Sequence, residues 1–187
     1  MALSKARRAL PPLQQAALQE LALRYVGKYA TTRAKLRAYL SRKLRERGWN
    51  GEREPNLEAL VNRFAELGYV DDASYALGQS RSLSSRGYGK RRLAEKLRAA
   101  GVGEDDSGAA NKHADGESVA AALRFAKRRR LGPFAAAAPD RLQREKWVAA
   151  MVRAGHEYGL ARIITDMNPD QVIDVDELCG RMQFNDT

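Results

Sequence analysis

One cysteine, Cys179, and two histidines, His113 and His156, are the whole supply of soft and imidazole ligands in this 187-residue chain. A single cysteine excludes an intrachain disulfide and fits a reducing compartment. Three such residues, far apart, offer no zinc-ligand spacing. No stretch of about 20 apolar residues is present, so no membrane-spanning helix is expected. The basic N-terminal segment is interrupted at Pro11-Pro12, and Leu13-Gln14-Gln15 is not the apolar core of a secretory signal. These absences point to a cytoplasmic protein. Strands are also missing. Apolar runs such as Arg162-Ile163-Ile164-Thr165 are short and too few to build a sheet, so the class is all-α. Acidic residues are scarce as well: 23 Asp and Glu face 33 Lys and Arg, a net charge of +10. A surplus of that size suggests an anionic partner, most often nucleic acid.

Catalytic groupings fare no better. No Ser-His-Asp or Cys-His arrangement can be assembled, and no catalytic residue, cofactor or metal is expected. Asp71-Asp72 has the look of a metal carboxylate pair, but a helix N-cap explains it more simply. Gly87-Tyr88-Gly89-Lys90 uses the vocabulary of phosphate loops without the four-residue gap or a preceding strand. It reads as a flexible turn into a basic helix, with backbone N–H groups that could hold one phosphate. The chain is not expected to be an enzyme.

What the chain does have is a repeated phrase. Leu36, Leu40 and Leu44 lead to Gly48-Trp49; Leu93 and Leu97 lead to Gly101-Val102; Trp147 and Met151 lead to Gly155-His156. Each is a helix with an apolar residue every fourth position, stopped by a glycine cap and followed by a residue that can pack. Recurrence at about half a hundred residues argues for tandem three-helix repeats, about three of them, with function spread over a surface. The spacing predicts a basic arm over 1–12 and a first repeat over 13–70, with helices near 13–30 and 32–47. Thr31-Thr32 and Pro55-Asn56 open its second and third helices. A second repeat follows over 71–134, capped by Asp71 or Asp72. It contains a polar segment, 103–116, rich in Gly, Asp, Asn and Ser, which reads as a flexible loop. Its third helix is expected near 117–130. Leu131-Gly132-Pro133-Phe134 echoes Leu67-Gly68-Tyr69-Val70 at the matching place. A divergent third repeat covers 135–168, and an acidic tail 169–187. That tail allows two readings, a loose extension or a short helix around 175–181.

The positive charge is clustered. Arg33, Arg37 and Arg45 fall on one flank of the second helix, and Arg42 with Lys35 forms a row beside Tyr39. Lys90, Arg91 and Arg92 open the matching helix of the next repeat, and Arg128, Arg129 and Arg130 close a third patch. Amphipathic helices always turn charge outward, but mixed signs are usual there and these are nearly all positive. Such patches suit a phosphate backbone. Tyr25, Tyr29, Tyr39 and Tyr88 could stack on bases, although ordinary packing accounts for Tyr25 and Tyr29.

Gly68-Tyr69-Val70-Asp71-Asp72 followed by Tyr75-Ala76 resembles the hallmark of the RecX family, regulators of the bacterial recombinase RecA. The helix ending at Gly48-Trp49 and the run Gly87-Tyr88-Gly89-Lys90-Arg91-Arg92-Leu93 into Gly101-Val102 fit the same pattern, and the likeness spans about 21–167. The resemblance implies three tandem three-helix repeats in an elongated, curved molecule. It implies binding in the helical groove of the RecA–DNA filament, with suppression of strand exchange and of RecA's ATP hydrolysis, and no catalysis by the protein itself. Arg33, Arg37, Arg42, Arg45, Lys90, Arg91, Arg92, Arg128, Arg129 and Arg130 would then face DNA phosphates or acidic filament surface. The expected partners are the RecA–DNA filament and single- or double-stranded DNA, met by a monomer with no membrane. The rival expectation is a sequence-independent DNA- or RNA-binding helical module without a recombinase. Segment 103–116 and the acidic tail depart from the family pattern.

Overall fold

The computed structural model describes residues 11–176, 178 and 180. Among these residues there are nine α-helices and a 3-10 turn, with one isolated β-bridge, Leu13 to Trp49, and no strand. The helices are α1 (Gln15–Lys28), α2 (Arg33–Arg47), α3 (Leu57–Glu66), α4 (Asp72–Ser85), α5 (Lys90–Ala99), α6 (Glu104–Gly116), α7 (Ser118–Arg129), α8 (Arg141–Arg153) and α9 (Tyr158–Asp166). The all-α class is as expected. No described helix is long and apolar enough to cross a membrane. The chain divides into two compact units, one up to Tyr75 and one from Ala76 onward.

In the first unit, Leu18 and Ala22 of α1, Leu36 and Leu40 of α2, and Leu60, Val61 and Phe64 of α3 close a single core. Leu36 and Leu40 are wholly buried, and truncating either to alanine would cost about 2–5 kcal/mol. The helix starts follow the sequence signals. Thr32 Oγ1 accepts from the Lys35 N–H, and Asn56 Oδ1 accepts from the Ala59 N–H. Leu13 does not begin a helix. Its N–H donates to Gly48 O at 2.9 Å and its carbonyl accepts from Asn50 N–H at 2.8 Å, so the first residue past the expected arm is strapped to the end of α2. The rest of that arm, 1–10, lies outside the described residues.

The second unit corrects the reading of 103–116. That segment is not a loop but α6. It was obscured because Gly, Asp, Asn and Ser are weak helix formers and its buried face consists only of Ala110 and Ala114. Tertiary ties hold it. Ser80 Oγ of α4 donates to Ala110 O at 2.8 Å, and Lys90 of α5 pairs with Asp115 at 2.7 Å. Glu104, Asp105 and Asp106 sit in its first turn, where the helix dipole favours negative charge. With α6 present, the helices fall into threes as α1–α3, α4–α6 and α7–α9. The helix expected near 117–130 therefore opens the third group instead of closing the second. The three copies of the phrase land on α2, α5 and α8, the middle helix each time. Leu67-Gly68 joins α3 to α4, whereas Leu131-Gly132 joins α7 to α8, so the two echoes are not at matching places.

Val119, Phe125, Trp147, Met151, Leu160 and Ile164 build the core of this unit, and Leu178 joins it. The tail is therefore not loose over its described part. Asp170 N–H donates to Pro133 O, and Val175, Asp176, Leu178 and Gly180 are helical. The remainder, including 181–187, lies outside the described residues.

Candidate nucleic-acid interface

The basic residues singled out from the sequence divide into two kinds. Several are neutralised in place. Arg33 is tied to Asp72, whose Oδ1 accepts from the Arg33 N–H at 2.9 Å while Oδ2 lies 3.3 Å from Nε. Asp72 is buried, so it caps α2 from a distance and Arg33 serves this staple. Asp71 takes the local role, accepting from the Ser74 N–H at the start of α4. That bond and a second one from the Ser74 hydroxyl hold its carboxyl below the usual carboxylate range. Arg37 pairs with Glu58 at 3.1 Å, Arg42 with Glu46 at 3.6 Å and Arg92 with Glu95 at 3.3 Å. These are exposed pairs, each worth about 0–1 kcal/mol. They lower self-repulsion while leaving the cations accessible. Arg45 donates to Ser41 Oγ at 3.0 Å, and Arg91 is exposed at the first turn of α5.

The remaining cations converge. Arg128, Arg129 and Arg130, at the end of α7, line a cleft of about 560 Å³ together with Lys146 and Arg153 of α8, and no carboxylate lines it. A helix C-terminus attracts cations on its own account, but Lys146 and Arg153 come from a different helix and meet them across the cleft. Arg130 caps α7 in the left-handed region, φ 54° and ψ 55°, which turns the chain sharply beside Trp147. Sequence reading missed Lys146 and Arg153. Their signal was present, since Gln143, Lys146, Ala150 and Arg153 follow three–four spacing on the flank next to Trp147 and Met151.

Tyr88 extends this basic surface. The Arg86 and Arg128 guanidinium groups lie 5.3 and 5.7 Å from its ring centroid. Tyr88 also lines a second hollow with Arg86, Arg92, Lys96 and the carboxylate of Glu95. The flanking glycines are not a phosphate loop, and the turn is not free to flex. Gly89 N–H donates to Ala154 O at 3.0 Å and Arg91 N–H to Gly155 O at 3.2 Å, so these amides are spent on the α8–α9 turn. A Cβ added at Gly89 would lie 2.2 Å from Gly155 O. His156 is buried beneath, and its Nε2–H donates to Gly87 O at 3.1 Å. Burial lowers its pKa, against the smaller opposing effect of that hydrogen bond.

His113 and Ser80 meet, with Nδ1 and Oγ 3.0 Å apart. Ser80 is wholly buried and also bonds Ala110 O, so the pair ties α4 to α6 and exposes no nucleophile. Among the described residues no group of three or more His, Cys, Asp or Glu could hold a metal ion.

Helices packed around apolar cores, with a basic cleft that no carboxylate lines, define an all-α protein with a concentrated cationic surface among the described residues. No family model matches the chain, but curated relatives do. Regulatory protein RecX of Myxococcus xanthus (strain DK1622) is 34% identical over 163 residues, covering 81% of this chain and 86% of that protein. Regulatory protein RecX of Thermobifida fusca (strain YX) is 35% identical over 125 residues, covering 64% and 65%. The crystal structure of RecX from Lactobacillus salivarius superposes with a TM-score of 0.57 at 16% identity, over 90% of this chain and 96% of that one. A second crystal structure of regulatory protein RecX gives 0.56 at 21% identity, over 81% and 73%. The chain belongs to the RecX family of regulatory proteins.

Proposed function

We propose that this protein modulates the RecA recombinase. It binds the groove of the RecA–DNA filament as a monomer in the cytoplasm and suppresses ATP hydrolysis and strand exchange without catalysing a reaction itself. The observation that supports this reading most is the cleft of Arg128, Arg129, Arg130, Lys146 and Arg153. Five cations without a lining carboxylate repel one another, and an anionic backbone relieves that repulsion. Arg86, Arg92 and Lys96 around Tyr88 add further cations, with Glu95 as the one carboxylate lining that hollow. A protein held by phosphates in the groove would bridge protomers and exclude a second duplex.

The test is RecA's DNA-dependent ATP hydrolysis on excess single-stranded DNA, titrated with this protein. Suppression well below one molecule per RecA protomer is the expected result. The double reversal Arg129→Glu with Lys146→Glu should raise the required concentration on the order of tenfold while the far-UV circular dichroism stays helical. Suppression only when the protein saturates the DNA would instead favour a general nucleic-acid-binding module.

A further inference from the structure

Three tyrosines of the first unit form a short column. Tyr39 of α2 and Tyr25 of α1 lie face to face, with centroids 4.2 Å apart and planes at 14°. Tyr29, one turn further along and at the C-cap of α1, leans on Tyr25 at 5.4 Å and 52°. Cations stand around the rings. The Lys28 ammonium lies 5.4 Å from the Tyr29 centroid, and the Arg42 guanidinium and Lys43 ammonium lie 5.6 and 5.9 Å from that of Tyr39. Glu46 bridges Arg42 and Lys43 at 3.6 and 2.6 Å, keeping both beside the ring.

Packing accounts for Tyr25 and Tyr39, which rest against the core of the unit. It does not account for Tyr29, which stands outside that core and is 49% exposed. A large ring left half in water, tilted against a stacked pair and beside an ammonium group, has the elements of a sequence-tolerant single-strand site. Such sites combine π-faces for bases with cations for the intervening phosphates. A duplex keeps its bases stacked internally, and an apolar peptide would gain nothing from the cations.

We propose that Tyr29, backed by Tyr25 and Tyr39, is a stacking platform for an unpaired base of single-stranded nucleic acid, with Lys28, Arg42 and Lys43 meeting the flanking phosphates. This deepens the reading above and rests on its premise that the protein works on nucleic acid. The platform is distinct from the cleft of the second unit in needing bases, not phosphates alone.

The experiment is fluorescence anisotropy of the full-length protein with oligo(dT) and with an abasic oligodeoxynucleotide of equal length. Wild type, Tyr29→Ala and Tyr29→Phe are compared, with circular dichroism confirming the fold of each. Tyr29→Ala should bind oligo(dT) about tenfold more weakly, bind the abasic strand as wild type does, and be rescued by Tyr29→Phe. Undiminished oligo(dT) binding by Tyr29→Ala overturns the platform, as does an equal loss on the abasic strand. RecA hydrolysis is read separately with the wild-type protein. A base-dependent loss without any effect on RecA supports the platform and removes only the filament reading.

Discussion

The turn after α2 and the turn after α8 are written with the same phrase yet need their glycines for different reasons. Gly48 has φ 78° and ψ 174°, a conformation essentially reserved for glycine, but a Cβ there would meet nothing within 4 Å. Gly155 has φ 94°, and a Cβ there would lie 2.5 Å from Arg92 N. Its partner Gly89 is the converse case, with an ordinary φ of −86° but no room. In the first unit the glycine ends a helix and its carbonyl accepts from Leu13 N–H, with open space where a Cβ would stand. In the second it ends a helix and lets two turns touch backbone to backbone. A repeat in sequence therefore marks a repeated element that pairs its turn with another segment each time, but not an equally close approach.

Substitutions can break this comparison in order of effect. Gly155→Ala combines strained φ with a backbone clash and should cost about 3–5 kcal/mol in chemical denaturation. Gly89→Ala carries the clash alone, about 2–3 kcal/mol. Gly48→Ala carries the backbone strain alone, about 1–2 kcal/mol. Equal losses at all three positions would mean that the close approach of the two turns contributes nothing.

A milder probe of the same contact is pH. His156 is lowered from its ordinary 6.5 by burial. The unfolded chain therefore takes up a proton at a higher pH than the folded one does. The neutral side chain stabilises the fold fully above about 6.5, and that contribution is lost as pH falls toward the folded-state value. The melting temperature should fall between pH 7.5 and 5.5 more for the wild type than for His156→Gln. The Gly87 carbonyl keeps a donor in that variant only if the glutamine amide reaches it, so the difference between the two pH values is the quantity to compare. Asp71, also lowered, acts with the same sign at more acidic pH, below the ordinary 3.8.

Much of the fold was legible where one residue sets one local feature. The leucine rows, the caps at Thr32 and Asn56, and the glycine ends of α2, α5 and α8 could all be read along the chain. The helix α6 could not, because its stability comes from Ser80, Lys90 and two alanines fitting a neighbour, and composition reports only its weak propensity. The candidate interface was half legible. Charge runs pointed to Arg128, Arg129 and Arg130, but their cleft depends on Lys146 and Arg153 arriving from another helix. Arg33 was misleading in a different way, since its carboxylate partner lies 39 positions away, at Asp72.

That same α6 has a kinetic consequence. A helix whose apolar contribution is two alanine methyl groups has little to lose by detaching, and its local opening should require much less free energy than that of α7. Amide exchange and proteolytic nicking would then concentrate at Glu104–Gly116 while the core around Trp147 and Ile164 stays closed. Ser80 and Lys90 would then be the ties that set how often α6 opens while the core stays folded.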